Sequence, residues 1–265
     1  MTARWIAAAL LLALPAGALA QDWKTVDDDD WCDERKWNDR WCEVREIVLP
    51  ANRDVIVVDA GRNGGVEVNG WDEDEIRVRA KVQVWEVDDD EAEEVARTVE
   101  ISAGDRISVR GPRPGRHDVA WSVSFRLDVP RESNLDLEAY NGGIRIEDVD
   151  GEIRFVTTNG GVRLEDLAGD VRGETRNGGV DIELSGSTWR GKGLDVETRN
   201  GGIDLDIPED YSAELETSTV NGRIRSDLPV LIDDRHGRTL WAELGDGGPM
   251  IRLQTKNGGV RIRER

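Results

Sequence analysis

The sequence of 265 residues predicts an all-β fold: a parallel β-helix-like solenoid of units of ~18 residues, preceded by a mostly-β cap with one short helix. Three observations predict it. Asparagine-glycine pairs recur at near-constant spacing. Apolar residues alternate with charged ones on both sides of each pair. Only one stretch carries a helical pattern.

Eight of the eleven asparagines precede glycine (Asn63, Asn69, Asn141, Asn159, Asn177, Asn200, Asn221 and Asn257), and six of the eight continue into a second glycine. Asn141, Asn159 and Asn177 are spaced by 18 and 18. Asn177 to Asn200 is 23, one period plus a five-residue insertion near Trp189-Arg190-Gly191. Asn200 to Asn221 is 21, and Asn221 to Asn257 is 36, which reads as two periods with one motif lost. Aligning the units on the corners Asn141, Asn159, Asn177, Asn200, Asn221 and Asn257 gives columns. Six residues before the corner stand Leu135, Ile153, Val171, Leu194, Leu215 and Ile251. Three after it stand Ile144, Val162, Val180, Ile203, Ile224 and Val260, and two before it five of the six units have threonine. Charged residues fill the positions between, so each unit reads as strand, turn, strand. The glycines are expected to supply positive φ at the corner.

Asn-Gly between alternating strands is also a hairpin signal, which would pair the strands antiparallel. That register sets Glu197 against Asp204 and Asp195 against Asp206, an unfavourable opposition of like charges. The near-constant columns favour stacked coils, in which like side chains lie over one another. Stacking in turn collects Glu147, Glu165, Glu183, Asp206 and Asp227 in one acidic column, so charge alone does not decide; Glu147, Glu165, Glu183 and Asp206 are a candidate cation or partner face. The left-handed hexapeptide helix is excluded because an asparagine falls where its aliphatic residue should recur. The calcium-binding nonapeptide roll is excluded because its Asp is missing.

In chain order, residues 1–20 read as a secretory signal peptide: Arg4, an apolar run Trp5 to Leu14 too short to span a bilayer, and the cleavage site Ala18-Leu19-Ala20. The mature chain is therefore expected in the periplasm or outside the cell, with no membrane span. Residues 21–46 form an acidic, Trp-rich arm. In an oxidising compartment Cys32 and Cys42 are most simply a disulfide. Trp23, Trp31, Trp37 and Trp41 either pack on the domain behind or offer an aromatic surface to a partner or glycan. Residues 47–130 read as a β cap with strands Val55–Val58, Ile76–Trp85, Ile107–Arg110 and Ala120–Val129. Its helix opens on a capping Asp at 88–90 and sets Ala92, Val95, Ala96 and Val99 on one face. Residues 131–265 are the repeat solenoid, whose last strand carries Arg261, Arg263 and Arg265 as a guard against edge pairing.

Three features together resemble a known family: Gly65-Val66-Glu67-Val68-Asn69-Gly70-Trp71-Asp72, Asp128-Val129-Pro130, and the repeated Thr-x-Asn-Gly-Gly-[Ile/Val] ending in Thr255-Lys256-Asn257-Gly258-Gly259-Val260. The chain looks like the bacterial "putative adhesin" family, a domain of unknown function with β-strand repeats, over residues 47–265. The resemblance implies a right-handed parallel β-helix-like solenoid of the cell envelope. It carries over no catalytic residues.

The net charge of -20 excludes a sequence-independent nucleic-acid binder, which needs a basic footprint. Two His, His117 and His236, leave little room for His-based catalysis or a metal site. No cofactor and no metal are implied. The sequence thus predicts a non-enzymatic module of the envelope, adhesive, binding or structural, whose partner is an envelope protein or a glycan. Two alternatives stand beside it: a carbohydrate-active β-helix enzyme using clustered carboxylates, and a regulatory partner in envelope stress.

Overall fold

A computed structural model describes residues 22–28, 30–32, 40–85, 88–112, 120–228 and 237–265. Residues 1–20, expected from the sequence to be a signal peptide, and Trp37, His117 and His236 lie outside the described residues. The N-terminal strands are β1 (Lys24–Val26), β2 (Arg40–Pro50), β3 (Ile56–Asp59), β4 (Val66–Trp71) and β5 (Glu75–Trp85). Helix α1 (Asp89–Thr98) follows, then β6 (Glu100–Ala103), β7 (Arg106–Arg110) and β8 (Ala120–Pro130). The repeats supply β9 (Leu135–Asn141), β10 (Ile144–Glu147), β11 (Asp150–Asn159), β12 (Val162–Glu165), β13 (Ala168–Asn177), β14 (Val180–Glu183), β15 (Gly193–Asn200) and β16 (Ile203–Ile207). The closing strands are β17 (Ala213–Asn221), β18 (Ile224–Ser226), β19 (Thr239–Leu244), β20 (Met250–Asn257) and β21 (Val260–Glu264).

These strands form two sheets around a shared core. The repeats are stacked coils, not hairpins. Ile153, Val171 and Leu194 pair in parallel register on one sheet, and Val162, Val180 and Ile203 on the other. The aligned columns are the core: Leu135, Ile153, Val171, Leu215 and Ile251 are at most 1% exposed, as are Ile144, Val180, Ile203 and Val260. Gly173 interrupts one column because the Phe155 ring of the neighbouring coil fills its place; a Cβ there would lie 2.3 Å from that ring.

The coils do not stack in sequence order. β20 lies between β15 and β17, and β21 lies between β16 and β18. The reading of Asn221 to Asn257 as two periods with a lost motif is therefore corrected: the chain leaves the stack after β18, pairs β19 antiparallel to β17, and returns to insert its last coil. The arginines of β21 do not guard an edge. Charge complementarity seats them, with Asp204 beside Arg261 and Asp206 beside Arg263.

The stack also begins earlier than the six aligned corners. β3 pairs with β9 and β4 with β10, so 56–71 form a coil around Asn63, which bridges Asn141. Beyond this coil β8 joins β4 in parallel and the long strands β5 and β2 follow antiparallel, while β7 joins β3 in parallel and β6 follows antiparallel. Helix α1 starts at Asp88, whose side chain accepts from Glu91 N, and buries Ala92 and Ala96. Arg45 donates to Val99 O and Ala96 O, both at 2.8 Å, and so satisfies carbonyls at the helix end.

The corner glycines are present for a different reason from the one expected. Among the glycines that follow the seven stacked asparagines, only Gly64 has φ between +20° and +160°. The first glycine of each motif is needed for close approach: a Cβ on Gly160, Gly178 or Gly201 would lie 2.0, 1.9 or 1.9 Å from the carbonyl oxygen of the preceding coil's glycine. Positive φ occurs instead at the opposite corner, at Asp148 (60°) and Asp166 (53°), where a short polar side chain tolerates it.

Candidate binding site

The corners build a polar spine along the stack. Each asparagine Nδ2 donates to the Oδ1 of its neighbour, in the spatial order Asn221, Asn257, Asn200, Asn177, Asn159, Asn141, Asn63, over 2.7–2.9 Å. Beneath it, buried threonines donate to glycine carbonyls of the adjacent coil, as in Thr157 to Gly142 O (2.8 Å) and Thr175 to Gly160 O (2.9 Å). The repeated Thr-x-Asn-Gly thus satisfies polar groups that a tight corner would otherwise strand.

The acidic column exists, and arginines hold it. Glu147, Glu165, Glu183 and Asp206 stand side by side on β10, β12, β14 and β16. Arg145 donates to Glu147 (2.9 Å) and Glu165 (2.7 Å), Arg163 to Glu165, Arg265 to Glu183, and Arg263 to Asp206 (2.6 Å). The hydrogen bond to Glu147 raises the Arg145 guanidinium above its ordinary value, and that to Asp206 does the same for Arg263. Among the described residues no group of three or more His, Cys, Asp or Glu could hold a metal ion. In sequence order the column is wholly acidic; Arg263 enters it only through the inserted last coil.

The arm lies against the same sheet. Cys32 and Cys42 are joined, with Cα atoms 5.9 Å apart. Trp23 and Trp41 pack against the core. Trp31 instead lies over the outer face of the sheet, its ring 4.4 Å from the Arg126 guanidinium and 5.1 Å from Lys81 Nζ. Trp31 N donates to Asp28 Oδ1, and Lys81 Nζ donates to Trp31 O. Burial, then Arg126, lowers the Lys81 pKa.

A groove of about 420 Å³ opens beside this indole. Gly65, Gly143 and Gly161 line it together with Ser124, and Glu67, Arg145, Arg163 and Asp181 add charged groups. Arg145 Nε faces no hydrogen-bond partner among the described residues. Sequence reasoning singled out Trp31 and missed the groove. A signal was the second glycine of Asn-Gly-Gly, which the packing demands less uniformly than the first: a Cβ on Gly161 would stand 3.6 Å from its nearest neighbour, although one on Gly65 would stand 2.8 Å from Gly143 O, and Arg223 occupies the equivalent position between β17 and β18.

Stacked parallel coils with a polar spine and a surface groove define this chain as a repeat β-solenoid. Residues 118–263, more than half of the sequence, match the family described as Toastrack DUF4097, a domain of unknown function, and the chain belongs to that family. Among solved structures it is similar to a "putative cell adhesion protein" from Clostridium sporogenes, at 11% identity and TM-score 0.48, covering 85% of this chain and 100% of that one. It is also similar to a "putative adhesin" from Bacteroides fragilis (10% identity, TM-score 0.33, 85% and 97% covered) and to a "putative lipid binding protein" from Parabacteroides distasonis (11%, 0.29, 83% and 96%). No curated protein matches the chain.

Proposed function

We propose that this chain is an exported, non-enzymatic binding module of the bacterial envelope, and that the groove beside Trp31 takes a linear glycan. The groove carries the reading: it is lined by an indole, by arginines and carboxylates, and by three glycines that leave its surface low. An indole face suits the C–H face of a sugar ring, and alternating donors and acceptors suit its hydroxyls. The groove lies on a sheet whose backbone groups are already paired between neighbouring strands, so an extended peptide finds no strand edge to join there. The arginine partners of the carboxylate column favour binding over acid–base catalysis, which needs a free carboxyl.

Export is supported by the apolar, Ala-rich N-terminus and by the Cys32–Cys42 bridge. Among the described residues no helix is long and apolar enough to cross a membrane. A glycan array probed with the protein and with Trp31→Ala tests the proposal. Binding to linear glycans that Trp31→Ala lowers by roughly tenfold or more, with the melting temperature unchanged, supports it. Equal binding by both proteins, or binding only to peptides, refutes it.

A further inference from the structure

Among the described residues the asparagine spine has one open end. In its interior, Asn159 gives Nδ2 to Asn141 and accepts at Oδ1 from Asn177, each over 2.8 Å, and the following Gly160 N–H donates to Asn177 O at 3.1 Å. Asn177 and Asn200 are held in the same three ways. Asn221 ends the stack. Its Nδ2 donates to Asn257 Oδ1 at 2.8 Å, but its Oδ1 accepts nothing, and Gly222 N–H donates to nothing among the described residues. The side chain is exposed.

We propose that Asn221 is a site of spontaneous deamidation, and that it reacts ahead of the interior pairs at Asn159, Asn177 and Asn200 because, among the described residues, it is the unprotected end of the ladder. The Gly222 amide nitrogen, its proton lost to solvent base, attacks Cγ of Asn221. The new N–Cγ bond closes a succinimide, the Cγ–Nδ2 bond breaks, and Nδ2 leaves as ammonia. Water then opens the ring at either carbonyl, giving aspartate or isoaspartate. One water is consumed and one ammonia released, with no other reactant.

Interior pairs cannot follow this course without first opening. Their side-chain amides must leave two ladder bonds, and the attacking nitrogen must leave its carbonyl on the next coil. Each such opening is a local unfolding step. The product has a consequence as well. A carboxylate at position 221 presents acceptor to acceptor at Asn257 Oδ1, so the last ladder bond is lost and the end of the stack loosens.

Incubating the purified full chain in mildly alkaline buffer, followed by peptide mass mapping that separates aspartate from isoaspartate, tests the proposal. A parallel sample in denaturant gives the intrinsic rates, which should be alike for all eight pairs. In the native protein Asn221 should react within about tenfold of its unfolded rate, while Asn159 and Asn177 slow by roughly ten- to a thousand-fold, the protection expected of three hydrogen bonds. Equal native rates at Asn221 and Asn159, or an Asn221 as slow as Asn159, overturn it. The variant Asn221→Ser frees Asn257 Oδ1 but leaves Gly258 N–H on the carbonyl of residue 221, so the Asn257 rate should rise severalfold and stay below that of Asn221 in the parent chain; no rise overturns the share given to the side-chain ladder.

Discussion

Gly160 and Gly161 are neighbours in one motif, and the fold asks different things of them. Neither has φ in the left-handed region, so an alanine meets no backbone strain at either. At Gly160 a Cβ would lie 2.0 Å from Gly142 O and 2.4 Å from its carbonyl carbon, both backbone atoms of the next coil. Relief needs the coils to part by about 1 Å, enough to weaken the Thr157–Gly142 and Asn159–Asn141 bonds that cross the same gap. Overpacking plus lost hydrogen bonds amounts to roughly 2–4 kcal/mol. At Gly161 the nearest atom would be 3.6 Å away, ordinary contact, and alanine should stabilise by about 0.4–1 kcal/mol by restricting the unfolded chain. Gly160→Ala should therefore lower the melting temperature by roughly 5–15 °C, and Gly161→Ala should leave it unchanged or raise it slightly. Thermal and urea unfolding of the two variants measures both. Equal destabilisation would refute the assignment of close approach to the first glycine alone.

Three further outcomes follow from the same geometry. Thr175→Val should cost about 1–2 kcal/mol because it strands Gly160 O, whereas Thr217→Val should be neutral or stabilising, since the buried Thr217 Oγ1 has no partner among the described residues; urea unfolding of both checks the contrast. Burial raises the Tyr211 hydroxyl from 10.0 to about 12, so the folded state keeps a proton that the unfolded state releases above 10. Stability should then fall by up to ~1.4 kcal/mol per pH unit across that window, and Tyr211→Phe should flatten the fall in an alkaline titration. Because arginines already occupy the carboxylate column, millimolar calcium should leave the melting curve in place; a clear upward shift would contradict the pairing.

The coil is legible in the sequence because its period is carried by residues that cannot be exchanged freely. The aliphatic columns are not needed to see it: Asn159, Thr157 and Gly160 each recur for a separate physical reason, a ladder bond, a buried hydroxyl bond and a close contact. The order of the coils is not legible, because every coil offers the same columns. Asn257 fits against Asn200 as well as against Asn221, and a few positions distinguish the neighbours: Leu205 and Asp206 meet Ile262 and Arg263, where sequence order would give Ser226 and Asp227. The first coil is hidden for another reason. Asn63 and Asn141 touch in space but are 78 residues apart, because β5, α1 and β6 to β8 intervene. The acidic column is legible as a column and only partly as a surface. Arg145 reaches diagonally to Glu165, a contact that depends on side-chain reach and not on register.

Paired cysteines report whether the last coil sits between two earlier ones. Glu197 faces Gln254, and Gln254 faces Ser218, as outward neighbours on adjacent parallel strands, whereas Glu197 and Ser218 are two strands apart. Adjacent strands put Cα atoms about 4.8 Å apart, within disulfide reach, and a two-strand gap of about 9.6 Å is beyond it. Glu197→Cys with Gln254→Cys, and Gln254→Cys with Ser218→Cys, should cross-link on oxidation of the folded protein, and Glu197→Cys with Ser218→Cys should not. Efficient cross-linking of 197 to 218, with none between 197 and 254, would mean that the coils stack in sequence order and would contradict the insertion of the last coil.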